Sequence, residues 1–102
     1  MKLLTKEIIN KLPKLYANDK KRTNIIPIIV KFFCPWNQWT WYATEYDGEN
    51  EFFGYVRGDF DELGYFTLSE LESVTGPLGL KIERDLNWND KITLSQVIKE
   101  RL

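Results

Sequence analysis

Histidine is absent from the 102-residue chain, and cysteine occurs once. Without His the chain lacks the commonest general base and the commonest metal ligand. The one Cys, Cys34, cannot close an intramolecular disulfide or build a cysteine-rich zinc site. It has no imidazole to deprotonate it and Pro35 follows it, so it reads as a plain thiol in a turn. Long apolar runs are missing too. The longest near the start covers residues 25–30, contains Pro27 and is far shorter than a bilayer requires. The basic start Met1-Lys2-Leu3-Leu4-Thr5-Lys6 lacks the apolar stretch of a signal peptide, so no membrane role is expected and the cytoplasm is the expected compartment. An excess of one charge is also lacking. Lys and Arg number 14 and Asp and Glu 15, for a net charge of −1. That balance excludes a uniformly basic DNA-coating protein and a uniformly acidic DNA mimic.

What is present predicts one α+β domain over residues 1–102: an antiparallel β-meander with an N-terminal helix and two short capped helices, packed on one face and at the ends of the sheet. Thr5 caps the first helix, Glu7 suits its first turn, and Ile8, Ile9, Leu12 and Leu15 follow helical spacing until Pro13 interrupts. Residues 25–33 are β-branched and aromatic and read as a strand with a ragged or edge start at Pro27. Residues 39–46 and 51–57 read as the next two strands, joined by a tight turn at Asp47-Gly48-Glu49-Asn50. Thr67-Leu68-Ser69-Glu70 and Thr93-Leu94-Ser95-Gln96 both have capping-box spacing, and predict helices over 68–74 and 94–102. Residues 80–84 read as a short strand.

Charge and aromatic residues are unevenly spread. Residues 1–31 hold eight Lys or Arg against two acids, whereas residues 45–73 hold nine acids against Arg57 alone. Of fifteen aromatic residues, all but Tyr16 and Trp88 lie between Phe32 and Phe66. Most should form a core, but a small sheet with few helices is expected to leave some rings outside, where they mark a binding surface. The candidate anchors are Trp36, Trp39, Tyr42, Tyr46 and Tyr55, flanked by Glu45, Asp47 and Glu49. Strand alternation puts Trp39 and Trp41 on one face and Tyr42 on the other. Larger area favours burial of the tryptophans, leaving Tyr42, Tyr46 and Tyr55 outward; the opposite assignment fits the alternation nearly as well. The interleaved acids repel phosphate, so a nucleic-acid surface is better sought among Lys6, Lys11, Lys14, Lys20, Lys21 and Arg22.

The remaining motifs are weak. Asp59, Asp61, Gly64, Thr67 and Glu70 occupy the first, third, sixth, ninth and twelfth positions of a calcium loop. Leu63 at the fifth supplies no side-chain oxygen, and the entering segment reads as a strand, so an acidic turn into a capped helix is preferred and no metal is expected. Glu83 and Asp85 on one side of a short strand, with Glu62 elsewhere, are the only acid–base candidates, and a salt-bridging edge strand explains the pair better. Gly76 and Gly79 lack the Gly-Lys-Ser/Thr of a phosphate loop. No cofactor and no catalytic residue is expected.

Several words of the sequence carry a family resemblance. Leu3-Leu4-Thr5-Lys6-Glu7-Ile8, Lys11-Leu12-Pro13, Val30-Lys31-Phe32-Phe33, Trp39-Thr40-Trp41-Tyr42-Ala43-Thr44-Glu45, Phe52-Phe53-Gly54, Glu62-Leu63-Gly64-Tyr65-Phe66 and Gly76-Pro77-Leu78-Gly79-Leu80 together resemble domain-of-unknown-function family 2958. The resemblance implies an accessory protein of bacterial plasmids and integrative conjugative elements, often encoded near antirestriction genes. It implies no catalytic residue. The expected function is non-enzymatic binding of a protein partner, from host defence or the conjugation machinery, through the aromatic and acidic surface. The second expectation is a nucleic-acid accessory role for the basic N-terminal third.

Overall fold

The computed structural model describes residues 1–99. Thr5 caps helix α1 (Lys6–Lys11), its Oγ1 accepting from the Ile8 N–H at 3.2 Å. Five strands follow: β1 (Val30–Phe33), β2 (Thr40–Tyr46), β3 (Glu51–Arg57), β4 (Asp61–Thr67) and β5 (Glu83–Arg84). They form one antiparallel sheet in the order β4-β3-β2-β1-β5. Helix α2 (Leu68–Ser73) leaves β4 directly, and α3 (Leu94–Lys99) comes late in the chain. The stretch of the expected last helix beyond Lys99 lies outside the described residues. Among those described, no helix is long and apolar enough to cross a membrane.

Three elements differ from the sequence reading, one of them the strand expected over residues 80–84, which is reduced to Glu83–Arg84. The strand expected over residues 25–33 is confined to its second half. A 3₁₀ turn takes Thr23–Ile25, and Pro27, which has no N–H to give a ladder, makes only an isolated bridge with Thr93. The acidic segment after Gly58 is a full strand, β4, paired along its length with β3 from Glu51↔Thr67 to Arg57↔Asp61.

Both faces of the sheet are covered over its central strands, leaving Leu63 and Tyr65 of β4 open, and this overturns the expected outward positions of Tyr42, Tyr46 and Tyr55. On one face Val30, Phe32, Trp41, Tyr46, Phe52 and Phe66 pack beneath Leu3, Leu12, Leu71 and Ile82, with Ile8 of α1 against them. On the other, Tyr42 and Tyr55 pack with Ile26, Ile28, Leu94 and Val97, and Trp88 closes the edge. Tyr42 is 3% exposed, Tyr46 4% and Tyr55 7%. Tyr46 joins the Trp41 face because β2 is bulged. Between Ala43 and Glu45 the register to β3 slips by one, so Ala43 opposes Gly54 while Glu45 opposes Phe53. Thr44 is the extra residue, and everything after it changes face relative to a plain alternation.

The two predicted caps are complementary halves of the same motif. At α2 the Thr67 hydroxyl accepts from the Glu70 N–H at 3.1 Å. At α3 the Gln96 side chain accepts from the Thr93 N–H at 2.8 Å, while the Thr93 hydroxyl turns to the same Gln96 oxygen. Thr67→Ala therefore should cost about 1 kcal/mol and Thr93→Ala clearly less, as read by urea denaturation at constant m-value.

Candidate functional site

The loop between β1 and β2 is short and held by side-chain turns. Asn37 Oδ1 accepts from the Trp39 N–H at 2.8 Å, and the Cys34 N–H bonds the Trp39 carbonyl at 3.0 Å. This closure brings Trp36, Trp39 and Trp41 together at one end of the sheet. With Cys34, Asn37, Val74 and Thr75 they wall an open cleft of about 340 Å³. Trp39 and Trp41 lie 5.8 Å apart, centroid to centroid.

Two glycines set the outer rings. A Cβ at Gly76 would lie 2.4 Å from the Trp36 ring, and one at Gly58 would lie 2.4 Å from the Trp39 ring. Each half-buried indole thus rests against bare backbone, a contact any side chain would displace. The cleft is consequently a fixed shape presenting aromatic faces, with polarity limited to Asn37, Thr75 and a thiol. Burial pushes the Cys34 thiol above its ordinary pKa, against an opposing hydrogen bond from Asn37, so it stays protonated and weakly nucleophilic at neutral pH.

The other candidates are dispersed. Glu45, expected on the surface, is 3% exposed. Its carboxylate accepts the Tyr16 and Asn18 N–H groups, each at 2.8 Å, and so ties residues 16–18 to β2. Asp47 and Glu49 are exposed in the β2–β3 turn. The seven residues of β2 separate that turn from the cleft by roughly 20 Å. Aromatic anchors and acidic flank therefore do not form one surface. Asp47 serves its own turn. Its Oδ1 accepts from the N–H groups of Glu49 and Asn50, both at 2.8 Å, and of Glu51 at 3.0 Å. Those backbone bonds hold its carboxyl below the ordinary carboxylate range. A depressed folded-state pKa contributes stability above the unfolded-state value that is lost as pH falls through the folded one. Asp47→Ala should accordingly flatten the acid limb of the stability curve below about pH 4, seen as a smaller fall in melting temperature between neutral and acid buffer.

The basic set is also divided. Lys6 and Lys11 belong to α1, over the Trp41 face, while Lys20, Lys21 and Arg22 precede the 3₁₀ turn that feeds Ile26 to the opposite face. Lys11 is engaged by Glu7 at 3.7 Å and Asp90 at 3.3 Å. Lys14, Lys20, Lys21 and Arg22 are exposed, with no ion pair among the described residues. Asp85 pairs with Lys31 at 3.9 Å. The twelve residues of the calcium-like pattern form a strand and a helix cap, and no cluster of three metal-ligating side chains occurs among the described residues.

Sequence reasoning missed Val74 and Thr75 as cleft walls. It also missed Trp88, whose indole N–H bonds the Ile28 carbonyl at 2.8 Å and whose ring lies 5.6 Å from Lys31 Nζ. The only signal for Trp88 was its isolation from the other rings; for the cleft it was the pairing of Gly58 and Gly76 with unusually dense tryptophan.

No curated protein and no solved structure matches the chain. A family model does, over residues 3–101, nearly its whole length. The chain belongs to the family described as Protein of unknown function (DUF2958).

Proposed function

We propose that the chain is a non-enzymatic accessory protein of a bacterial mobile genetic element, working in the cytoplasm by binding a protein partner through the tryptophan cleft. The observation that carries this reading is the cleft itself: three indoles, two of them held against glycine backbone, around an open apolar hollow. Rigid aromatic side chains lose little entropy on association and dominate the energetics of protein interfaces. The matching partner presents an apolar or aromatic side chain. The element setting is what the family resemblance implies. Lys20, Lys21 and Arg22, three exposed cations in succession, make nucleic-acid binding the competing outcome.

The test is differential capture. Tagged wild-type chain, Trp39→Ala, Thr75→Arg and a Lys20→Glu/Lys21→Glu/Arg22→Glu variant are each exposed to a bacterial lysate treated with nuclease. Thr75 is exposed on the cleft rim, so an arginine there obstructs the opening without removing a core side chain. The proposal expects one protein captured by wild type and by the charge variant, and lost from both cleft variants at unchanged circular dichroism. Capture that ignores the cleft variants and disappears with the charge variant overturns it.

A further inference from the structure

We infer that the free β4 edge pairs with β4 of a second copy of the chain, antiparallel and centred on Gly64, joining two five-stranded sheets into one. This surface is separate from the tryptophan cleft, and neither proposal depends on the other. Strand β4 is the last in the sheet order, and among the described residues no strand lies beyond it.

The direction of its backbone groups follows from two flanking bonds. The Leu68 N–H bonds the Asn50 carbonyl at 2.8 Å, and the Gly58 N–H bonds the Phe60 carbonyl at 3.4 Å. In an antiparallel ladder every second residue faces the neighbour, so Glu62, Gly64 and Phe66 turn their amides toward β3. Leu63, Tyr65 and Thr67 turn theirs away from it. Of the devices that blunt an edge, residues 61–67 carry only the acids Asp61 and Glu62 at one end, with no proline, lysine or bulge. The side chains of Leu63 and Tyr65 are 47% and 51% exposed.

Self-pairing is what the sequence of the strand fits. With outward residues bonded to outward residues, an antiparallel register about Gly64 sets Leu63 against Tyr65 of the second copy, and Tyr65 against its Leu63. Both are apolar cross-strand pairs. Asp61 and Glu62 then lie at opposite ends of the ribbon from their counterparts, level with Thr67 and Phe66 of the second copy; a parallel pairing would stack acid beside acid. Gly64 meets Gly64 at the axis, as a non-hydrogen-bonded pair where the chains come closest. Within the protomer nothing asks for glycine there. A Cβ at Gly64 would have no atom within 4 Å, and the residue is not in a left-handed conformation. A close approach from outside the protomer supplies the reason for it.

Sedimentation velocity over a range of protein concentrations tests the inference. Wild type should associate to a dimer. Leu63→Pro removes an outward donor and spares the ladder to β3; Gly64→Lys sets two like charges against each other at the axis. Each should weaken the dimer by at least roughly tenfold. Gly64→Cys should form an intermolecular disulfide on mild oxidation, because the Cα separation at such a pair, about 4.5 Å, suits one. Circular dichroism confirms that each variant remains folded. A wild type that stays monomeric at high micromolar concentration overturns the inference, as does a dimer that Leu63→Pro and Gly64→Lys leave intact.

Discussion

Phe52→Ala is expected to lower the unfolding free energy by about 4 kcal/mol, and the melting temperature by about 20 °C. Phe52 has no exposed surface. Its ring stacks on Tyr46 at 4.5 Å and on Phe66 at 5.1 Å, and tilts against Phe32 at 5.5 Å. Four strands thus meet through one side chain: β1 through Phe32, β2 through Tyr46, β3 through Phe52 itself and β4 through Phe66. Truncation loses the transfer energy of the ring and leaves a cavity among other rigid rings, which collapse poorly around it. Chemical denaturation measures the loss directly. A change below about 1 kcal/mol would mean that the aromatic cluster does not hold this face together. Trp41 belongs to the same cluster, so the floor of the cleft shares this support.

Glu45→Ala should cost about 3 kcal/mol although it removes no apolar contact of note. The carboxylate is buried and satisfies two backbone donors, at Tyr16 and Asn18. Tyr16 is one of two non-glycine residues with positive φ among the described residues, at 72°, so the loop it turns is strained and depends on an external hold. Removing the acceptor strands two amides in a site that the Asn18 side chain also closes, through its bond to the Thr44 carbonyl at 3.5 Å. Glu45→Gln should cost about half as much, since one oxygen remains while the amide group opposes the other donor. Hydrogen exchange is the distinguishing readout. The Tyr16 and Asn18 amides should lose protection in Glu45→Ala well before the β2–β3 ladder does. Equal protection in both variants and wild type would show that the loop is held by something else.

Local chemistry was legible wherever it acted over a few residues. Thr5 and Thr67 cap the helices their spacing announces, and Asp47-Gly48 turns the β2–β3 hairpin, with Gly48 at φ +87°. The failures come from non-local causes. Tyr46 took the face opposite to the expected one because of one inserted residue, Thr44, and a bulge leaves no mark in a run that reads as one strand, Thr40–Tyr46. Tyr42 and Tyr55 are buried by Ile26, Ile28, Leu94 and Val97, side chains from segments remote in sequence. Alternation says which residues share a face and nothing about what will cover it. β4 was hidden by its acids and by Gly64, which resemble a loop when read one at a time; the pairing partner, β3, is what makes the segment a strand.

The candidate site was legible in part for the same reason. Trp36 and Trp39 stood out by residue type, and they do wall the cleft with Trp41. The acids assigned to flank them sit at the far end of β2 or inside the protein, because proximity in sequence along a strand is distance in space. Tyr42 gave up its binding role to a structural one: its hydroxyl accepts from Arg57 Nη1 at 3.0 Å, and Arg57 also reaches the Val97 carbonyl, so this tyrosine fastens α3 to the sheet.

A tryptophan cleft that works as the binding surface must report its partner through its own indoles. The most direct measurement is a fluorescence titration of the chain's tryptophans with the partner recovered by capture, at low and at high salt. Saturable protection of the emission from acrylamide quenching is expected, with an affinity that changes little with salt and is lost in both Trp39→Ala and Thr75→Arg. Binding that survives in those variants, and that falls steeply with salt as phosphate contacts require, would contradict it and place the function on Lys20, Lys21 and Arg22.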